Sequence, residues 1–206
     1  MPFIAMVAGP NGSGKTTLIQ HLRSRGVDLG EYVNADDIAA DLSGPYQARV
    51  RTAQAIADER RAGFLDAGTS FTFETVMSHP SKVELFAQAS SQGFETILFF
   101  ISTGDPALNV ARVAQRVALG GHDVPRSRII SRYERTMALF PLALAIADRA
   151  FVYENIGPDG LVLGLTKTSD THADGLRREH YELADAAAEW IRSAYDALPE
   201  GGAIIS

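Results

Sequence analysis

The octet Gly9-Pro-Asn-Gly-Ser-Gly-Lys-Thr16 fits the pattern G-x-x-x-x-G-K-[ST] at every defined position, and it constrains the fold more than any other stretch of the chain. Such a loop works between a buried strand and the first turn of a helix. Its glycines turn backbone N–H groups inward on phosphate oxygens, and the helix N-terminus adds the positive end of its dipole. Both neighbours are in place. Phe3 to Ala8 is a continuous apolar run, as expected of a central parallel strand covered on both faces, and Leu18, Ile19 and Leu22 form the apolar stripe of a following helix. The expected ligand is a purine nucleoside triphosphate, ATP or GTP, with Mg2+. Gly9, Pro10, Asn11, Gly12, Ser13, Gly14, Lys15, Thr16 and Thr17 are the expected nucleotide-binding residues. Lys15 reaches the β- and γ-phosphates, and Thr16 is the metal ligand. The motif leaves the phosphate acceptor open, because P-loops serve kinases, GTPases and motor ATPases alike.

Downstream, strand and helix patterns alternate. Strands are predicted at Glu31–Asn34, Ser70–Thr75, Glu95–Ser102 and Arg149–Glu154, with Leu161–Thr166 as a sixth at the sheet edge. Helices are predicted from about Asp36, over Tyr46–Ala67, over Lys82–Gln92, from Pro106 to the Gly120-Gly121 pair, and from Ser127 to Asp148. A C-terminal amphipathic helix is expected from Asp174 to Leu198, with Leu183, Ala187, Trp190, Ile191 and Tyr195 facing the sheet. The fold class is therefore α/β: a three-layer P-loop NTPase or kinase fold with a mainly parallel central sheet and a helical lid. With 206 residues, one domain covering 1–206 is expected. A formal charge of -6 disfavours nucleic-acid binding, which needs a basic footprint. The absence of cysteine, of a signal-like segment and of any long apolar run gives a cytoplasmic expectation, with no membrane partner.

In open α/β sheets, ligands gather outside the carboxyl ends of the strands. Asn34, Asp36 and Asp37 follow strand two, Glu74 and Thr75 end strand three, and Asp105 follows strand four. Asp36 either receives the proton of an acceptor hydroxyl or caps the helix that begins there. Glu74 interrupts an aromatic strand; it holds magnesium through water, binds acceptor hydroxyls, or faces solvent at the strand tip. Six arginines lie between strands four and five: Arg112, Arg116, Arg126, Arg128, Arg132 and Arg135. A lid over about 107–135 that brings arginines to the transferring phosphoryl group is the expectation. Arg116 is the first choice for catalysis and Arg126 the second. Arg128 joins Glu74, Thr75 and Asp36 as an acceptor-binding residue, and His122 either touches phosphate or, like most lone loop histidines, has no such role.

Taken in order, Gly9 to Thr17, Asn34-Ala-Asp36, Phe73-Glu-Thr75, and an arginine helix before Gly-Gly-His-Asp-Val-Pro125 resemble the zeta toxin family over about Phe3 to Glu154. The resemblance implies a P-loop kinase that uses ATP or GTP to phosphorylate the amino-sugar 3′-hydroxyl of UDP-N-acetylglucosamine, as the toxin half of a toxin–antitoxin pair. It implies that Asp36 activates the sugar hydroxyl, that Glu74 holds the sugar and that Arg116 serves the transition state. A second arginine is implied near His122, where Arg126 and Arg128 both lie. The chain lacks the longer C-terminal region of the best-known toxins.

Overall fold

The computed structural model describes residues 1–121, 123–157, 160–171 and 177–198. Its elements in chain order are β1 (Phe3–Ala8), α1 (Lys15–Ser24), β2 (Glu31–Val33), α2 (Ala35–Asp41), α3 (Tyr46–Asp66), β3 (Phe71–Thr75) and α4 (Ser81–Ser91). They continue with β4 (Glu95–Ser102), α5 (Pro106–Ala118), α6 (Arg126–Ile146), β5 (Arg149–Gly157), β6 (Gly160–Thr171), β7 (Arg177–Leu183) and α7 (Glu189–Asp196). The strands form one sheet in the order β2-β3-β1-β4-β5-β6-β7. The first five run parallel, and β6 and β7 are added antiparallel. The chain leaves β1 toward β2 and β3, then crosses back to β4 on its other side. This reversal opens a crevice at the carboxyl end of β1, the usual place for a ligand in such sheets.

Apolar side chains cover both faces. On one face Met6, Phe71, Phe73, Leu98 and Phe100 meet residues of α3, α4, α6 and α7, with Phe140 stacked on Phe100 at 4.0 Å between ring centres. On the other, Ala5, Val7, Phe99 and Ile101 pack with Leu18, Ile19 and Leu22 of α1. The continuous apolar runs of β1 and β4 follow from burial on both sides. Asp105 caps α5 by accepting from Ala107 N at 2.7 Å, and Pro106 occupies the first turn, where its missing N–H is not needed. Among the described residues, no helix is long and apolar enough to cross a membrane.

The C-terminal region differs from expectation. Within the stretch read as one long helix, residues 177–183 form β7 and only Glu189–Asp196 is helical, while Asp174 lies outside the described residues. The physical reason is pairing: β7 is polar, and its backbone is satisfied along β6 from Leu165–Leu183 to Thr171–Arg177. The apolar assignments survive this change, since Leu183, Ala187, Trp190, Ile191 and Tyr195 all join the core. The sixth strand is real but longer than read, and β7 takes the sheet edge in its place.

Lys167 of β6 is fully buried. It donates to the carbonyls of Leu144 (3.0 Å) and Ala145 (2.9 Å) in the last turn of α6, and it pairs with Glu179 of β7 at 2.9 Å. Burial lowers its pKa, and Glu179 works against that shift. A cation at the negative end of a helix dipole, with its donors occupied, fastens α6 to the antiparallel extension. Lys167→Met takes this donor from both carbonyls and leaves Glu179 with only the Tyr181 hydroxyl (2.7 Å) and Arg177 (3.6 Å). It is expected to cost about 3 kcal/mol in urea unfolding; a loss below about 0.5 kcal/mol, the range of an ordinary surface change, would refute this role.

Candidate active site

The loop between β1 and α1 is held open by three glycines with positive φ: Gly9 (153°), Gly12 (76°) and Gly14 (105°). A β-carbon at Gly9 would collide with the Ile101 carbonyl of β4, and one at Gly14 with the Asn155 amide. Two asparagines grip the loop from behind. Asn109 of α5, fully buried, donates to Asn11 O at 2.6 Å while its own oxygen accepts from Thr103 Oγ1 at 2.6 Å. Asn155 of β5 donates to Ser13 O at 2.8 Å and accepts from Arg112 at 3.3 Å. Arg112, expected on the lid, is thus turned toward the P-loop.

Lys15 is buried, and its Nζ donates to Gly9 O (3.0 Å) and Pro10 O (3.1 Å). Burial lowers its pKa; Glu74 and Asp36 oppose the shift, and Arg116 and Arg132 add to it. These five side chains therefore share one electrostatic neighbourhood at the carboxyl end of the sheet. The Ser13 hydroxyl is buried in the loop without a hydrogen-bond partner. Thr16 and Thr17 lie exposed on the first turn of α1.

Asn34, and not Asp36, caps α2: its side chain accepts from Asp36 N at 2.9 Å. The carboxylate of Asp36 is thereby released from capping and stands exposed on the first turn. Glu74 is half-buried and belongs to a hydrogen-bonded set. Its Oε1 accepts from Thr16 Oγ1 at 3.4 Å and its Oε2 from Tyr32 OH at 3.1 Å. Burial raises the Glu74 pKa, and the nearby Lys15 cation opposes this most strongly. Thr75 turns inward, and its hydroxyl accepts from Met77 N at 3.0 Å, shaping the turn that follows β3.

Among the arginines of α6, Arg132 is the one drawn into the site. It is half-buried, and its pKa is lowered first by burial and then by Arg128 and Arg135, with Tyr46 and Asp36 opposing. Arg128, Arg132 and Arg135 lie on one helical stripe at spacings of four and three. The stripe is fastened to the β3–α4 loop, with Arg135 Nε donating to Ser78 O at 3.1 Å and Thr136 Oγ1 to Val76 O at 2.7 Å. Arg126 opens α6 and is exposed. Arg116, in the last turn of α5, reaches the site through its effect on Lys15. His122 lies outside the described residues.

The donor set suits Mg2+. This ion takes one or two protein oxygens and completes its octahedron with phosphate oxygens and water. Thr16 and Glu74 offer hard oxygens of that kind, and among the described residues no three His, Cys, Asp or Glu form a complete protein cage. The sequence reading passed over Tyr32, Asn109, Asn155 and the central place of Arg132. Asn109 carried a readable signal: with Val113 it lies on the buried stripe of α5, where an apolar residue is normal.

A family profile described as an AAA domain (AAA_33) matches residues 4–137. The chain belongs to the AAA_33 family. An uncharacterized protein of Haemophilus influenzae is 30% identical over 129 residues, covering 61% of this AAA_33 chain and 88% of that protein. Among solved structures, the AvrRxo1-ORF1:AvrRxo1-ORF2 complex with sulphate ions is similar at a TM-score of 0.66 and 15% identity, over 90% of this chain. The chain spans 62% of the length of the one it matches there. The PezAT chromosomal toxin–antitoxin system of Streptococcus pneumoniae matches at a TM-score of 0.56 and 16% identity, over 79% of this chain and 70% of that one. At these identities the two structures speak for the fold. Family and fold together make this a P-loop nucleotide-binding domain of kinase-like architecture.

Proposed function

We propose that residues 1–206 act as one kinase that transfers the γ-phosphate of ATP or GTP, with Mg2+, to a hydroxyl of a small molecule. UDP-N-acetylglucosamine is the acceptor of first choice. The observation that carries this reading is the release of Asp36 from capping, which leaves a free carboxylate in the same electrostatic neighbourhood as the P-loop lysine. In this reading Lys15 and the loop N–H groups hold the phosphates, and Thr16 with Glu74 holds the metal. The metal supplies charge neutralisation between the phosphate oxygens. Asp36 accepts the acceptor's proton, and Arg116 and Arg132 meet the charge that spreads over the transferring group.

The acceptor and the biological role rest on the motif resemblance to zeta toxins, and the fold shared with the PezAT toxin–antitoxin structure supports it. An antitoxin protein is the partner proposed on the same ground. The crowded Arg128–Arg132–Arg135 stripe favours an acceptor that itself carries phosphate, as a nucleotide sugar does. The test is mass spectrometry of purified protein with Mg2+, ATP or GTP, and a panel of nucleotide sugars and nucleosides. One phosphate gained by UDP-N-acetylglucosamine supports the proposal in full. Phosphate on another acceptor keeps the kinase and removes the sugar; release of inorganic phosphate alone refutes the kinase.

The two candidate lid arginines separate in this assay. Arg132→Gln is expected to lower kcat by about a hundredfold, the effect of removing one donor to developing charge. Arg126→Gln is expected to stay within about threefold of the parent, as its side chain is exposed at the helix start. The reverse ranking would return the role to Arg126.

A further inference from the structure

We infer that Tyr32 is a positioning residue whose hydroxyl fixes the Glu74 carboxylate on the metal side of the site; the inference rests on the kinase reading above. Tyr32 is the middle residue of β2, a strand of three residues. Its ring is held by the Arg23 guanidinium of α1, 4.5 Å from the ring centre. Phenylalanine would fill the same space, so packing alone does not call for the hydroxyl. That hydroxyl donates to Glu74 Oε2 at 3.1 Å.

The consequence is a division of labour on Glu74. One carboxylate oxygen is taken by Tyr32, and the other is aimed at Thr16 Oγ1, 3.4 Å away. Lys15 is the cation that acts most strongly on Glu74. Without the tyrosine bond, the carboxylate is free to swing toward that amine. It would then leave the metal position and engage the charge meant for phosphate. Tyr32 keeps the acid beside Thr16. Groups behind the direct ligands of a metal are typically worth about 10–100-fold in its affinity.

The test is a Mn2+ titration, followed by electron paramagnetic resonance, of the full chain with a non-hydrolysable ATP analogue. Tyr32→Phe is expected to keep the parent melting temperature within a few degrees and to weaken Mn2+ binding about tenfold or more. A folded Tyr32→Phe protein with unchanged Mn2+ affinity overturns the inference. This readout needs no acceptor, so failure of the kinase reading would show separately, as the absence of any phosphorylated product.

Discussion

Lys15→Met is expected to lower phosphoryl transfer by about two to three orders of magnitude while leaving the protein at least as stable as the parent. The two halves of this expectation have one cause. The amine is buried in the loop and hydrogen-bonded to the Gly9 and Pro10 carbonyls, and burial disfavours its charge in the folded protein by more than Glu74 and Asp36 restore. Methionine keeps the aliphatic stem and removes that cost. The charge is worth keeping only for what it does to phosphate. Single-turnover transfer and thermal unfolding measure the two effects independently. Activity within tenfold of the parent would mean that Lys15 is a packing residue.

Asp36→Asn is the second large effect. A loss of about 10²–10⁴-fold in kcat is expected, the range for a general base, with nucleotide affinity unchanged. The structure makes this a clean experiment. The cap of α2 belongs to Asn34, so the substitution spares the helix start. Asparagine also has nearly the shape of aspartate and loses only the charge and the ability to take a proton. Equal kcat in the variant would leave the acceptor proton to solvent or to another residue.

How far the sequence could be read depends on whether the deciding physics was local. The ends of β1 and β4 and the start of α5 were legible, because burial on both faces and an Asp-Pro start leave marks on consecutive residues. The nucleotide cradle was legible for the same reason. β7 was not: Arg177 to Leu183 is polar, and it becomes a strand through bonds to β6. Sequence puts Arg126 second and gives Arg132 no such place, because it does not show which stripe of α6 turns inward; Arg135 and Thr136 fix that by gripping a distant loop. The cap ambiguity at Asp36 was likewise open in sequence, where Asn34 and Asp36 are both competent caps.

The grip on the loop between β1 and α1 has a bearing on synthesis. Asn109 and Asn155 lie 98 and 142 positions along the chain from the carbonyls they bind. A ribosome adding roughly 5–20 residues each second releases Gly9 to Thr16 many seconds before Asn155. The nascent N-terminal half therefore carries the whole motif without its backing. The backing of the loop is complete only once β5, the strand that carries Asn155, has been made.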